Sequence, residues 1–230
     1  MSCVADDAIY TGHNLQNVPH RIRVLQVLSE IRKMSLKDFS YADVGCGGGS
    51  ITQRIVEASC PASSVGYDAN SELIDAASRL FPLVSFRLWD LSGNQLPSEK
   101  YDLVTCLETL EHVDDLEGAL DKLVQITAGT LLITVPIEIG PLGLAKFVGK
   151  TILGRKPLTD EHAGKPLAYV RALITGGDIS PFRIHMKGTH WASHTGFDYR
   201  RIDAALKLRD LSFTAKNRGW NRFYRVSVDR

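Results

Sequence analysis

The sequence predicts an α/β fold, a doubly wound and mostly parallel sheet of seven strands ending in an antiparallel hairpin. Three observations predict it. Short apolar runs alternate with stretches of helical period, the pattern of strand–helix units around a parallel sheet. The run Tyr101-Asp102-Leu103-Val104-Thr105-Cys106-Leu107 is apolar enough to be buried on both faces, as parallel strands are. Two β-rich runs joined by Gly219-Trp220-Asn221 close the chain and read as an antiparallel hairpin with an irregular turn at one edge.

In order, residues 1–16 have no periodicity and read as a loose arm. Ile22, Leu25, Leu28 and Ile31 then recur at helical spacing, giving a helix to about Lys33 with Pro19 tolerated in its first turn. The first strand spans 39–44, and a glycine cluster opens a helix from Ser50 to about Ala58. The unit repeats with a strand at 65–68 and a helix at 72–80 that Asn70 or Ser71 can cap. A third strand covers 84–89, a fourth 101–107. Asp114 and Asp115 cap a helix at 116–126, and the fifth strand is 131–135. Residues 137–196 break the rhythm, hold much of the Pro, Gly and His content, and read as an irregular substrate-side insertion or lid. A helix at 199–208 precedes the closing runs 212–217 and 222–228.

At 230 residues, one domain covering 1–230 is the default, with 1–38 as its arm and leading helix. The net charge of +1 gives no general pull toward nucleic acid, and the basic residues near the C-terminus (Lys207, Arg209, Lys216, Arg218, Arg222, Arg225) read as a solvated face. Cys3, Cys46, Cys60 and Cys106 are scattered, without a zinc-type spacing, which suits free thiols in a reducing cytosol. The acidic start is a poor secretion signal, and no apolar run reaches the ~18–20 residues of a membrane span, so a cytoplasmic location is expected. Residues 141–156 read as an amphipathic helix interrupted by glycines: Leu142, Ala145, Val148 and Ile152 form one face, with Lys146 and Lys150 elsewhere at i, i+4 spacing. It would serve either as a lid helix or as a peripheral contact with an anionic bilayer.

The chemistry lies at the strand ends, because ligands of open parallel sheets bind beyond the carboxyl ends of the strands. The first strand ends in Asp43-Val44-Gly45-Cys46-Gly47-Gly48-Gly49-Ser50, where glycines let the backbone approach a ligand and the helix start offers free N–H groups. The second ends in Asp68, placed to accept hydrogen bonds from both hydroxyls of a ribose. The third ends in Asp90, which can take an exocyclic amine, and Asp43 could meet an ammonium directly or through water. Glu108, Glu111 and His112 follow the fourth strand, with E-x-x-E spacing that sets the glutamates one helical turn apart. Two carboxylates and an imidazole can hold a divalent cation or move a proton. The alternative is that the acids cap a helix and His112 bonds the backbone. Among the histidines of the insertion, His190 and His194 flank Trp191, and either could act as a base.

Asp43-x-Gly45-x-Gly47-x-Gly49 followed by Asp68 and Asp90 resembles the class I S-adenosylmethionine-dependent methyltransferases, over residues 39–136 and, in architecture, 197–230. The resemblance implies S-adenosyl-L-methionine as cofactor. Gly45, Cys46 and Gly47 would lie against its methionyl part, Asp68 and Ala69 at its ribose, Asp90 and Leu91 at its adenine, and Leu107 nearby. A nicotinamide-binding domain, the main rival, prefers G-x-G-x-x-G, whereas this loop is G-x-G-x-G with Asp43 before it. The Glu108–His112 run and Lys187-Gly188-Thr189-His190 are similar to the ubiquinone-biosynthesis O-methyltransferases. That similarity implies O-methylation of an aromatic, catechol-like hydroxyl, a catalytic role for Glu108, Glu111, His112 and His190, and a divalent cation such as Mg on Glu108, Glu111 and His112. A Glu-Glu-His set also occurs in small-molecule N-methyltransferases of the coclaurine type, which keeps an amine acceptor open. The stretch between the fifth strand and Lys187 departs from the ubiquinone family, and that family's cofactor-contacting arginine has only Arg21 or Arg23 as a counterpart. A nicotinamide oxidoreductase and a catalytically silent cofactor-binding module are the readings from other classes.

Overall fold

A computed structural model describes residues 18–152, 166–183 and 196–228 of the chain. Helix α1 (Val18–Met34) leads into β1 (Ser40–Val44), α2 (Ser50–Ser59), β2 (Ser63–Asp68), α3 (Ser71–Leu80), β3 (Ser85–Leu88), β4 (Tyr101–Leu107), α4 (Leu116–Gln125) and β5 (Thr127–Pro136). Helices α5 (Gly140–Ile152) and α6 (Pro166–Thr175) come next, then α7 (Arg200–Leu208), β6 (Ser212–Arg218) and β7 (Asn221–Ser227). The seven strands lie in the order β3-β2-β1-β4-β5-β7-β6. The first five pair in parallel, and β7 runs antiparallel between β5 and β6. This is the expected doubly wound sheet with its C-terminal hairpin. Strand order reverses between β1 and β4, which places the ligand crevice beyond their carboxyl ends.

Alternation along β4 builds a core on each face of the sheet. Val104 and Cys106 join Leu120, Leu123, Ile133 and Leu206 on one side. Leu103 and Leu107 join Val27, Tyr41, Ile55 and Leu132 on the other. Helix starts are fixed locally: Asn70 accepts from the Glu72 and Leu73 amides, and Asp115 accepts from the Gly118 amide.

Three expectations differ from the structure. Strand β3 is short and mostly exposed, with Leu88 61% accessible, because it is an outer strand with no neighbour beyond it. Strand β5 begins four residues earlier than expected. Its first half pairs with β4 through a register shift, and Gly129 sits where a Cβ would lie 2.6 Å from the Asp102 carbonyl oxygen.

The third concerns 137–196, which is not irregular throughout. Helices α5 and α6 pack against one another through Leu144, Phe147, Tyr169 and Leu173, with Ile139 and Ile179 beneath them. Gly143, which looked like an interruption, lies close against the segment that enters its own helix: a Cβ there would lie 2.3 Å from the Glu138 carbonyl oxygen and 3.3 Å from Leu173 of α6. The helix ends at Ile152, and residues 153–165 lie outside the described residues. Lys146 turns to Glu138, 3.0 Å away, while Val148 and Ile152 are exposed. Among the described residues no helix is long and apolar enough to cross a membrane.

Leu103, fully buried at the centre of β4, tests this packing. Leu103→Ala is expected to lower unfolding free energy by about 2–5 kcal/mol in a denaturant titration, the cost of a core cavity. A loss below about 1 kcal/mol would mean the sheet face is not packed as described.

Candidate active site

The loop after β1 is drawn tightly against its neighbours. Gly45 and Cys46 donate their amides to the Tyr67 carbonyl at 2.8 and 2.9 Å. Gly45, Gly47 and Gly49 all have positive φ, the region that favours glycine. At Gly45 a Cβ would fall 2.1 Å from Thr109 Oγ1, so the start of the loop touches the turn after β4. Thr109 Oγ1 in turn donates to the Leu107 carbonyl at 3.2 Å.

Asp68 stands at the carboxyl end of β2, 6% exposed. Its Oδ2 accepts from the Gly47 amide and its Oδ1 from the Asn70 amide, both at 2.9 Å. The carboxylate lines the cleft. The open part of the cleft is bordered by Gly45, Gly47, Asp68, Ala69, Glu108, Thr109 and His112. Beside it a narrower cavity of about 340 Å³ is walled by Ala69, Trp89, Asp90, Leu91, Thr109, His112 and Val113. Asp90 Oδ1 accepts from the Ser92 amide at 2.8 Å. Apolar walls with one carboxylate at the edge suit a planar base that carries an amine, and the Asp68 side suits a sugar.

Six of the residues expected at a cofactor therefore border one crevice: Gly45, Gly47, Asp68, Ala69, Asp90 and Leu91. Three lie behind it. Cys46 and Leu107 are buried and do not line the crevice. Asp43 is 2% exposed, with Oδ2 accepting from Thr52 Oγ1 at 2.6 Å and Oδ1 from Thr105 Oγ1 at 2.7 Å. The Tyr41 hydroxyl extends this network to Thr105 at 2.8 Å. Asp43 thus joins β1, α2 and β4 beneath the loop. Burial pushes its carboxyl up to about 6, against the two hydroxyl hydrogen bonds that favour the charged form.

The Glu-Glu-His set is arranged otherwise than its spacing implied. Glu108 has a φ of +54° and is not helical; only Leu110–His112 form a single 3₁₀ turn. The glutamates consequently do not share a helical face. Glu108 and His112 border the cleft, whereas Glu111 is fully buried and does not. Burial is the main cause that raises the Glu111 carboxyl to about 7, with His112 and Arg23 opposing. Glu108 Oε1 accepts from Asn221 Nδ2 at 2.7 Å, and Oε2 lies 3.1 Å from the Arg23 guanidinium. Arg23, one of the two candidate arginines of the leading helix, therefore meets Glu108. Among the described residues no group of three or more His, Cys, Asp and Glu side chains is placed to hold a metal ion. The divalent-cation site expected at Glu108, Glu111 and His112 does not fit this geometry. His190 lies outside the described residues.

Thr109, Arg183 and Asn221 were missed as site residues. The Arg183 guanidinium donates to the carbonyls of Glu111 at 2.9 Å and Val113 at 2.7 Å, bracketing His112. Thr109, one residue past Glu108, could have been found from its place after a strand end. The contacts of Arg183 and Asn221 span 72 and 113 residues and leave no local signal.

Residues 42–128 match a family described as a methyltransferase domain. A ubiquinone biosynthesis O-methyltransferase of Chelativorans sp. (strain BNC1) is 30% identical over 152 residues, covering 61% of this chain and 59% of that one. The chain spans about half the length of the curated relatives it matches. PH0226 protein from Pyrococcus horikoshii OT3 is similar over 96% of both chains, with a TM-score of 0.60 at 15% identity. The DhpI–SAH complex structure is similar over 83% of this chain and 76% of that one, with a TM-score of 0.53 at 14% identity. At such identities the likeness of the two solved structures is one of fold.

Asp43 gives a pH signature. Its folded-state value, about 6, lies above the usual 3.8, so its contribution to stability is present at low pH and is lost as pH rises through about 6. Asp43→Asn removes that dependence. The stability difference between wild type and variant should shift by at most about 3 kcal/mol between pH 4 and pH 8, in the direction that disfavours the wild type at high pH. Denaturant unfolding across that range checks it; a pH-independent difference would contradict the buried-acid assignment.

Proposed function

We propose that this chain is a class I S-adenosylmethionine-dependent methyltransferase and that it methylates a hydroxyl of a small aromatic acceptor, a reading supported by the methyltransferase-domain match over residues 42–128. The crevice that runs from the glycine loop past Asp68 to Asp90, with His112 on its wall, carries the reading. Asp68 would accept from the ribose hydroxyls, Asp90 from the adenine amine, and the narrow apolar cavity would take the base. The backbone of Gly45 and Gly47, which borders the cleft, would lie against the methionyl part. When bound, S-adenosylmethionine supplies an electrophilic methyl on its sulfonium.

The chain's own task is to align the acceptor oxygen and take its proton. His112 faces the crevice, and imidazole is the side chain suited to proton transfer near neutral pH. Glu108 is already engaged by Arg23 and Asn221, which suits it to shaping the wall rather than to binding a proton. His112 would accept the acceptor's hydroxyl proton on a ring nitrogen while the oxygen takes the methyl that the bound cofactor would supply. The hydroxyl acceptor is supported by the relatives, which carry the name ubiquinone biosynthesis O-methyltransferase.

Transfer of labelled methyl to catechol should be measurable with the purified protein, and should persist in excess chelator because Glu108, Glu111 and His112 do not converge. His112→Gln should lower kcat by about 10²-fold or more, the usual worth of a general base. Methylation of amines but not of catechol would sink the hydroxyl reading.

A further inference from the structure

A second space opens at the same end of the sheet, between α1 and the turn of the C-terminal hairpin. It has a volume of about 540 Å³ and is lined by Ile22, Arg23, Gln26, Arg218, Trp220 and Asn221. Its place follows from register: Asn221 pairs with Pro136 at the carboxyl end of β5, and the Ile137 amide donates to the Trp220 carbonyl at 2.9 Å. Lys146 Nζ reaches the same carbonyl at 3.4 Å. The turn's backbone is thus held from two sides while its indole remains 41% exposed. Trp220 packs into none of the hydrophobic clusters of the described residues, so no core function accounts for it.

This space shares a wall with the donor crevice. Arg23 and Asn221 line it, and both hold Glu108, which borders the crevice on the other side. One carboxylate separates the two. The lining chemistry is selective as well. Arg23 is matched by Glu108 and Arg218 by Glu30, so neither cation is left over for a phosphate or carboxylate. What remains is an indole face, the exposed Ile22 side chain, the carboxamide of Gln26 and the carboxamide oxygen of Asn221, whose Nδ2 is spent on Glu108. The Gln26 side chain has no hydrogen-bond partner among the described residues. An indole face with carboxamides around it suits a neutral aromatic ring bearing hydroxyl or ether oxygens.

The geometry points to this space as the acceptor subsite: the ring stacks on Trp220, its substituents meet Gln26 and Asn221, and the reacting hydroxyl reaches past Glu108 toward His112. The assignment rests on the proposed methylation of an aromatic hydroxyl and names the residues that would select the ring.

Catechol titrated into protein saturated with S-adenosylhomocysteine tests it, read by the indole N–H resonance of Trp220, which Trp220→Phe identifies by its loss. The Trp220 signal should shift, and Trp220→Ala should raise KM for catechol about tenfold, the loss of a stacking contact. Trp220→Phe should recover most of that loss, with affinity for S-adenosylhomocysteine unchanged in both variants. A shift of the Trp220 signal without methyl transfer to catechol would sink the hydroxyl-methylation reading and keep the subsite. Catechol turnover with an unmoved Trp220 signal and an unchanged KM in Trp220→Ala would overturn the subsite alone. Neither turnover nor shift would overturn both.

Discussion

Between the loop after β1 and the turn after β4 there is room for a hydrogen atom and none for a methyl group. A Cβ on Gly45 would overlap Thr109, and one on Gly49 would lie 2.7 Å from the Phe86 ring. This approach shapes the crevice. It brings the backbone of Gly47 within 2.9 Å of the Asp68 carboxylate and sets Thr109 and His112 across from the loop. Asp43 fixes the arrangement from beneath through Thr52 and Thr105. A carboxylate buried this far is expensive to ionise, and the two hydroxyls offset part of that cost. The loop is thus held from below by hydrogen bonds and from the side by packing, and its upper face is left for a ligand.

The Glu108 side of the crevice is built from parts far apart in sequence. Arg23 of α1 and Asn221 of the hairpin grip Glu108, Lys146 of α5 grips Glu138 and the Trp220 carbonyl, and Arg183 ties down the carbonyls around His112. Each buried acid of this group has a cation near it, as burial of charge requires. Removing one partner would leave the other charged and poorly solvated. The leading helix, the hairpin turn and the helices after β5 are thereby joined at the reacting end of the sheet.

The crevice was legible because strand ends in a parallel sheet face one edge by geometry alone. An acid at the end of β2 and another after β3 could be placed without knowing any tertiary contact. The Glu108–Glu111 pairing was misread because a helical repeat was assumed where the chain leaves a strand, passes through a left-handed residue and makes only one 3₁₀ turn. Gly143 was misread for a similar reason. A glycine within a helix reads as a weak point, and only the nearness of the Glu138 carbonyl reveals a close approach. Asp43 had the right strand end and a different duty, because burial beneath the loop depends on Thr105, 62 residues away.

The most direct test of the central claim is a crystal structure of the protein with S-adenosylhomocysteine. It should place both ribose hydroxyls on Asp68, the adenine between Ala69 and Leu91 with its amine toward Asp90, and the sulfur facing the Glu108–His112 side. A nucleoside bound elsewhere, or in the crevice with its ribose away from Asp68, would contradict the account.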